Sequence, residues 1–270
     1  TVGQDHKGFS AIGYGKTGGL ELGYSSDLDL VFVHNSQSNE ITNGIKSIPA
    51  SQFYMKLAQR IMHIFNTRTA SGILYELDMR LRPSGNSGLL VIHIDTFAQY
   101  QREEAWTWEH QALVRARTVF GHHDLENKFI ALRQEILTFP RKRENVCKDV
   151  LKMRKKMREH LDKSTSDNMD IKQGQGGLVD IEFLVQFLVL SESSKHYELC
   201  QYSDNLSILK ELQRCDVIDI AQQKQLTDSY CTLRDIGHHA TLKNEHQLLP
   251  KVDFHDIAEN VNSICQSLYG

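Results

Sequence analysis

The chain has 270 residues, of which 40% are hydrophobic and 24% are charged, so its composition is that of an ordinary soluble protein with one large or two ordinary domains. A formal net charge of -3 offers no broad basic surface for a polyanion, which argues against nucleic-acid binding. No apolar run approaches the roughly 18 residues of a membrane span and no signal sequence opens the chain, so we expect a cytoplasmic protein without a membrane partner.

The first predicted elements are a strand over residues 9–14 and a loop over residues 15–19. Backbone N–H groups of such a loop can cradle phosphate oxygens, although a glycine pair such as Gly18 and Gly19 is more often a simple turn. Because the chain begins without methionine and close to a strand, we expect it to be a piece of a longer protein.

Two aspartates, Asp27 and Asp29, stand at the beginning of the next predicted strand, residues 28–33, directly after Ser25 and Ser26. Alternate residues of a strand point to the same face, so both carboxylates are expected at one spot. Two negative charges held close repel each other unless a cation lies between them. Oxygen ligands select a hard ion, Mg²⁺ first and Mn²⁺ second, and argue against zinc.

A polar loop is predicted over residues 35–49, followed by a helix capped by Ser51. The apolar residues at helical spacing, expected to cover the sheet, are Phe53, Tyr54, Leu57, Ile61, Ile64 and Phe65.

Residues 73–82 alternate like a strand, with apolar side chains on one face and charged side chains on the other. The charged face carries Glu76, Asp78, Arg80 and Arg82. A solvent-facing sheet edge is the simpler interpretation of an isolated strand of this kind. Beside Asp27 and Asp29, however, Asp78 supplies the third carboxylate that a two-metal centre needs.

These features together resemble a known superfamily. A glycine pair, Ser-Asp-x-Asp at the head of a strand and a later strand aspartate are similar to the nucleotidyltransferases with the fold of the DNA polymerase beta palm. The stretches GYGKTGGLELGYSSDLDLVF, FNTRTASGILYELDMRLRPSG, EAWTWEHQALVRAR and GGLVDIEF resemble the bacterial glutamine synthetase adenylyltransferase family. ELGYSSDLDL and AWTWEHQALVRAR are similar to the C-terminal, adenylylating half rather than the N-terminal, deadenylylating half of those enzymes.

The resemblance implies a specific reaction. ATP would bind near a set of nucleotide-binding residues, and Mg²⁺ ions would join its phosphates to Asp27, Asp29 and Asp78. The nucleotide-binding candidates are Gly18, Gly19, Ser25, Ser26, Arg80 and Arg82. A tyrosine hydroxyl of glutamine synthetase would attack the α-phosphorus, with Asp78 as proton acceptor, and pyrophosphate would leave. Either arginine has the alternative role of pairing with a structural carboxylate, and Lys16 is a weaker phosphate candidate.

Two other functions stay open. A deadenylylase would use the same carboxylates to cleave adenylyl-tyrosine with phosphate, giving ADP. A regulatory module with a degenerate site would bind nucleotide, glutamine or a signal protein without chemistry, although the presence of all three carboxylates and the glycine pair disfavours it. The resemblance also implies regulation by the PII signal protein and glutamine, with no residue assigned to either.

Further helices are predicted over residues 95–104, capped by Asp95, and over residues 107–119. Trp106 and Trp108 are expected in the core rather than stacked on a base. On a single helix Arg115 and Arg117 would not share a face, so at most one would reach the site.

The region around Pro140 is the predicted domain boundary, which separates a nucleotidyltransferase domain, residues 1–140, from a helical domain, residues 141–270. The fold class is therefore α+β, a small mixed sheet with helices followed by an all-α antiparallel bundle. The basic cluster after residue 150 is interpreted as a solvated helix face. Asp180 and Glu182 lie in an apolar predicted helix, where an unpaired carboxylate is costly. Each is therefore a candidate for an ion pair, either functional or structural.

The five cysteines lie far apart and include no C-x-x-C pair. This spacing implies neither a disulfide framework nor a zinc site, so reduced packing residues are expected. The histidine pairs at residues 122–123 and 238–239 are likewise interpreted as ordinary.

Overall fold

The computed structural model describes residues 8–24, 26–70, 72 and 75–270. The chain divides into two compact units, the first ending at Ile136 and the second beginning at Leu137. The division falls four residues before the boundary predicted from the sequence. Among the described helices, none is both long and apolar enough to cross a membrane.

The first unit contains a five-stranded mixed sheet. Its strands are β1 (Phe9–Gly13), β2 (Leu28–His34), β3 (Leu77–Asp78), β4 (Val91–His93) and β5 (Arg117–Gly121). The order is β3-β2-β1-β5, and β4 also pairs with β2. β1 runs antiparallel to β2 and β5, whereas β3 and β4 run parallel to β2. The small mixed sheet expected from the sequence is thereby confirmed.

β2 is the central strand because its apolar run is buried on both faces. Val31 and Val33 on one face and Phe32 on the other are all at most 1% exposed. Phe32 belongs to a core cluster with Phe9 of β1 and Tyr54 of the following helix. This burial holds the beginning of β2, with its acidic residues, in a fixed position.

Five helices complete the first unit within the described residues. They are α1 (Gly15–Gly18), α2 (Ala50–Asn66), α3 (Ile94–Glu103), α4 (Thr107–Val114) and α5 (His123–Leu137), with a short 3-10 helix at Gly85–Ser87. The predicted loop over residues 15–19 is thus one helical turn. Ser51 lies inside α2, which Pro49 caps, and Asp95 lies inside α3, where the His93 side chain accepts the Asp95 N–H.

The predicted helix over residues 107–119 is wrong in its second half. α4 ends at Val114, and Arg117–Gly121 forms β5, because this segment pairs with the edge of β1 and tertiary pairing overrides local periodicity. The tryptophans are also not in the core: Trp106 is 71% and Trp108 38% exposed.

The predicted strand over residues 73–82 is much shorter than expected. Only Leu77–Asp78 pairs with β2, and the chain turns at Arg80. The physical reason is local, since Asp78 accepts the Arg80 N–H at 2.9 Å and so favours a turn over an extended chain. Arg80 and Arg82 therefore do not share a strand face with Asp78. Residues 73 and 74 lie outside the described residues.

The second unit is mainly helical, as predicted. Its elements are α6 (Arg143–Leu161), β6 (Asn168–Asp170), α7 (Leu178–Glu192), a 3-10 helix at Tyr197–Cys200, α8 (Asn205–Arg214), α9 (Ile220–Leu242), β7 (Leu248–Pro250) and α10 (Lys251–Tyr269). The nearly uniformly apolar α7 is central and packs against α6, α8, α9 and α10. The unit is not purely α, because β6 and β7 form an antiparallel pair.

The basic cluster on α6 is not simply a solvated face. Arg154 is buried and its Nε donates to Asp180, and Arg158 Nη2 donates to both Asp180 oxygens at 2.7 and 2.8 Å. Asp180 also accepts the Gly176 N–H at 2.7 Å. The carboxylate of Asp180 thus ties the beginning of α7 to α6, which assigns it a structural role.

Candidate active site

The three predicted carboxylates lie at the beginning of β2 and on β3. Asp29 and Asp78 are partner residues in the parallel pairing of these strands, and exposed Asp27 precedes β2 by one residue. The pairing is extended by a hydrogen bond from the Leu28 N–H to the Glu76 carbonyl, 2.8 Å. A strand pairing between segments 49 positions apart therefore brings Asp78 beside the Asp-x-Asp motif.

The carboxylate of Asp29 is repelled by the carboxylates of Asp78 and Asp27. Its pKa is raised to about 6, first by burial and then by the negative charges of Asp78 and Asp27. Lys16 and Arg80 act in the opposite direction and lower it. The carboxylate thus lies in a negative field that a bound cation would relieve.

Asp78 is held by Arg80 in this structure. The Arg80 Nε donates to Oδ1 at 3.0 Å and to Oδ2 at 2.8 Å, and Nη2 also contacts Oδ2. The hydrogen bond from Arg80 lowers the pKa of Asp78 more than burial raises it. Arg80 itself is 73% exposed along its side chain, so it is free of packing constraints and able to exchange one anionic partner for another.

The donor set fits a hard divalent ion, since it consists of carboxylate oxygens that repel one another without one. The oxygens of Asp27, Asp29 and Asp78 do not all lie within 4.8 Å of one another. A bound cation would have to compete with Arg80 for Asp78.

Two residues of α1 approach the carboxylates, and sequence reasoning gave them little weight. Gly15 adopts a φ of +53°, and a β-carbon there would lie 2.6 Å from Oδ2 of Asp29. Lys16 is half-buried and its charge acts on Asp29. The glycine at position 15 was the available sequence signal, because glycine often occurs where the backbone must approach another group closely.

The glycine pair Gly18 and Gly19 is explained by close packing. Their N–H groups donate to the carbonyls of Tyr14 and Gly15, both at 2.9 Å, and so lie within the turn. A β-carbon at Gly18 would lie 1.9 Å from the carbonyl oxygen of Arg115. No side chain larger than hydrogen fits there without moving the backbone.

Two arginines at the end of α4 and the start of β5 hold this turn. Arg117 donates from Nε to the Gly18 carbonyl at 3.1 Å and from Nη2 to the Thr17 carbonyl at 3.2 Å. Arg115 is buried and pairs with Glu21, which is also nearly buried. Both arginines therefore reach the loop because the chain leaves the helix between them, which is not possible on the predicted continuous helix.

Of the remaining candidates, Ser26 is buried and its Oγ accepts the Gly23 N–H at 3.0 Å, closing the loop before β2. Ser25 lies outside the described residues. Arg82 pairs with no carboxylate of the described residues: its guanidinium donates to the carbonyls of Met79, Asn86 and Gly88 at 2.7, 3.1 and 3.3 Å. Arg82 thus shapes the turn that follows β3.

Comparison with known proteins adds an independent observation. Residues 2–132 match the family model described as glutamate-ammonia ligase adenylyltransferase, and residues 150–263 match the model described as GlnD PII-uridylyltransferase. The chain is 51% identical over 258 residues, 93% of its length, to the bifunctional glutamine synthetase adenylyltransferase/adenylyl-removing enzyme of Shewanella loihica. It spans 27% of the length of that relative. The resemblance to the glutamine synthetase adenylyltransferase family stated from the sequence motifs is thereby confirmed, and the assignment to the adenylylating half stays a prediction.

Proposed function

We propose that this chain, as a relative of the glutamine synthetase adenylyltransferases, transfers AMP from ATP to a tyrosine hydroxyl of glutamine synthetase and releases pyrophosphate. The observation that carries the proposal is the pairing of Asp29 with Asp78 across parallel strands, with Asp27 beside them. This is the carboxylate set that nucleotidyl transfer requires, on the domain that matches the adenylyltransferase model.

Asp27, Asp29 and Asp78 would hold the metal. Mg²⁺, with two ions as the expected number, or Mn²⁺ would supply positive charge there to offset the negative charge that develops at the α-phosphorus during the transfer of AMP. The raised pKa of Asp29 supports this assignment, because after burial, which is the largest cause, the charges of Asp78 and Asp27 raise it further, and their negative field favours a cation.

Arg80 and Lys16 are the proposed phosphate ligands. Both act electrostatically on Asp29, and so lie at the place where a triphosphate would approach the carboxylates. Arg80 is exposed and would transfer from Asp78 to a phosphate oxygen when ATP binds. The Gly18–Gly19 turn would contribute its shape rather than the N–H groups of these two residues, which already have acceptors.

The tyrosine hydroxyl of the substrate has an ordinary pKa near 10 and needs a proton acceptor at neutral pH. We assign this role to Asp78. While Arg80 holds it, the pKa of Asp78 is low and the carboxylate is a poor base. Movement of Arg80 to the phosphate would raise that pKa, so that ATP binding would prepare the base.

The reverse chemistry is the second candidate. The name of the Shewanella loihica relative includes an adenylyl-removing activity, and the same carboxylates would serve phosphorolysis of adenylyl-tyrosine. The match of the second unit to a PII-uridylyltransferase model supports the further proposal that PII or glutamine regulates the enzyme through that unit or the remainder of the longer protein.

The decisive experiment incubates the chain with unmodified glutamine synthetase, Mg²⁺ and α-labelled ATP. We expect label on the synthetase with the original chain and no label with Asp29→Asn. Asp95→Asn, which changes an exposed carboxylate of the same unit, is the control and should still transfer label. Release of ADP from adenylylated synthetase and phosphate, without label transfer, would instead support deadenylylation. Transfer at the normal rate by Asp29→Asn would contradict the carboxylate assignment.

A further inference from the structure

A second group of metal-ligand side chains lies in the helical unit, separate from the carboxylates described above. The ligand atoms of His196, Glu198 and Cys215 all lie within 4.8 Å of one another, and each residue is half-buried. His196 immediately precedes the 3-10 helix Tyr197–Cys200, and Cys215 caps the C-terminus of α8. The cluster therefore joins two segments that are adjacent only in the folded unit.

The backbone around these donors is held by packing. Leu199 in the 3-10 helix and Leu212 in α8 are fully buried. The Leu199 N–H donates to the His196 carbonyl at 3.2 Å, and the Cys215 N–H donates to the Glu211 carbonyl at 3.0 Å. Because both segments are anchored, the three side chains converge without a large loss of backbone freedom on binding a ligand.

The charge around the thiol favours a cation. The carboxylates of Glu198, Glu211 and Asp216 lie close enough to the Cys215 sulfur to act on it electrostatically. Glu211 is paired with Arg214 at 3.0 Å, which leaves Glu198 directed at the cluster. A divalent ion between the three donors would offset this negative field.

The donor chemistry selects the metal. One imidazole nitrogen, one carboxylate oxygen and one thiolate sulfur form the mixed set that a borderline ion prefers, whereas Mg²⁺ requires oxygen ligands alone. Three protein ligands at one place are also the number found in zinc sites that keep a fourth position for water.

We propose that His196, Glu198 and Cys215 form a Zn²⁺ site in the helical unit, with water as the fourth ligand. On binding, Cys215 releases its proton to solvent and coordinates as the thiolate, so no oxidant or reductant is needed. The ion would fix the 3-10 helix against the end of α8 and stabilise the folded unit by the free energy of binding.

The test uses Co²⁺ as a spectroscopic probe and Zn²⁺ as its competitor on metal-free protein. A thiolate-to-cobalt charge-transfer band is expected, with visible ligand-field bands of a four-coordinate ion, both abolished by excess Zn²⁺. The carboxylate site of the first unit contains no sulfur among its proposed ligands, so it cannot produce the charge-transfer band. This spectrum reports metal binding and not adenylyl transfer, so it tests the Zn²⁺ site even if the proposed function is wrong.

The variants are matched to the three ligands. Cys215→Ser should lose the charge-transfer band. His196→Gln and Glu198→Gln should each weaken Zn²⁺ affinity by about tenfold or more. Cys231→Ser, a change at an exposed cysteine outside the cluster, is the control and should bind Zn²⁺ as the original chain does. Far-ultraviolet circular dichroism checks folding, and Zn²⁺ should raise the Tm of the original chain but not of Cys215→Ser.

The absence of a charge-transfer band from the folded original chain would overturn the proposal. Persistence of the band in Cys215→Ser, or its loss in Cys231→Ser, would do the same by assigning the thiolate elsewhere. If Cys215→Ser fails to fold, unchanged Zn²⁺ affinity in both His196→Gln and Glu198→Gln is the overturning result.

Discussion

Asp29 and Asp78 are partner residues on adjacent parallel strands, and the negative charge of Asp78 contributes to the raised pKa of Asp29. Two acids that repel each other cost folding free energy when both are ionised, so natural chains retain such pairs where a ligand compensates. In this chain the pairing concentrates three carboxylates at one end of the sheet that bears the adenylyltransferase match.

The first prediction concerns the stability of the metal-free protein. The pKa of Asp29 rises from 3.8 to about 6 on folding, so the folded state binds more protons than the unfolded state between these values. Stability contributed by the protonated form is therefore lost as pH rises through about 6. Urea unfolding in chelator should show that Asp29→Asn is more stable, relative to the original chain, at pH 7 than at pH 4. An equal difference at both values would contradict the raised pKa.

The second prediction concerns Gly15. A β-carbon there would meet Oδ2 of Asp29, and the φ of +53° is strained for any other residue. Gly15→Ala should therefore cost about 1–3 kcal/mol of unfolding free energy and most of the rate of the proposed adenylyl transfer. Gly44→Ala is the matched control, since its β-carbon would meet nothing within 4 Å. Denaturant unfolding and label transfer measure the two effects. Equal behaviour of the two variants would show that the Gly15 turn tolerates a side chain.

The third prediction concerns the buried pair of Arg115 and Glu21. Arg115→Met leaves a nearly buried carboxylate without its guanidinium and should cost about 3–5 kcal/mol, whereas adding Glu21→Gln should restore part of that loss. A double-mutant cycle on the unfolding free energy measures the coupling. Strict additivity of the two changes would indicate that the pair does not hold the loop.

The fourth prediction separates structure from chemistry at Asp180. Asp180→Asn should lower the unfolding free energy by about 3 kcal/mol, because Arg154 is buried and loses its charged partner. The proposed adenylyl transfer, measured per folded molecule, should stay close to normal. Asp235→Asn, at a carboxylate 74% exposed, is the control and should change neither quantity. A strong loss of transfer in fully folded Asp180→Asn would assign this residue to the reaction.

Local patterns were sufficient for the elements in which periodicity and burial agree. The apolar run of β2 and the helix α2 both form where they were predicted, although Ile64 of the predicted α2 stripe is 64% exposed instead of covering the sheet. Local sequence patterns gave the wrong element where pairing with a distant strand decides the conformation. The segment after Val114 carries a helical pattern but becomes β5 because β1 offers an unpaired edge.

The same limit applies to the charged residues. Alternation placed Arg80 and Arg82 on the face of Asp78, whereas hydrogen bonds turn the chain and direct Arg82 to backbone carbonyls. The spacing of the cysteines implied no zinc site, and only folding brings Cys215 to His196 and Glu198. The spacing of residues along a chain does not show which distant residues packing brings into contact.

The sequence by itself determined the types of residue available, the Asp-x-Asp motif on a buried strand and the resemblance to an adenylyltransferase family, because strand periodicity and motif order are local properties. Tertiary structure alone decided the strand register that pairs Asp78 with Asp29, the hold of Arg115 and Arg117 on the glycine turn, and the role of Asp180 in joining two helices. The physical reason is that these contacts depend on strand register and on burial of charge, which are settled when distant segments share one core.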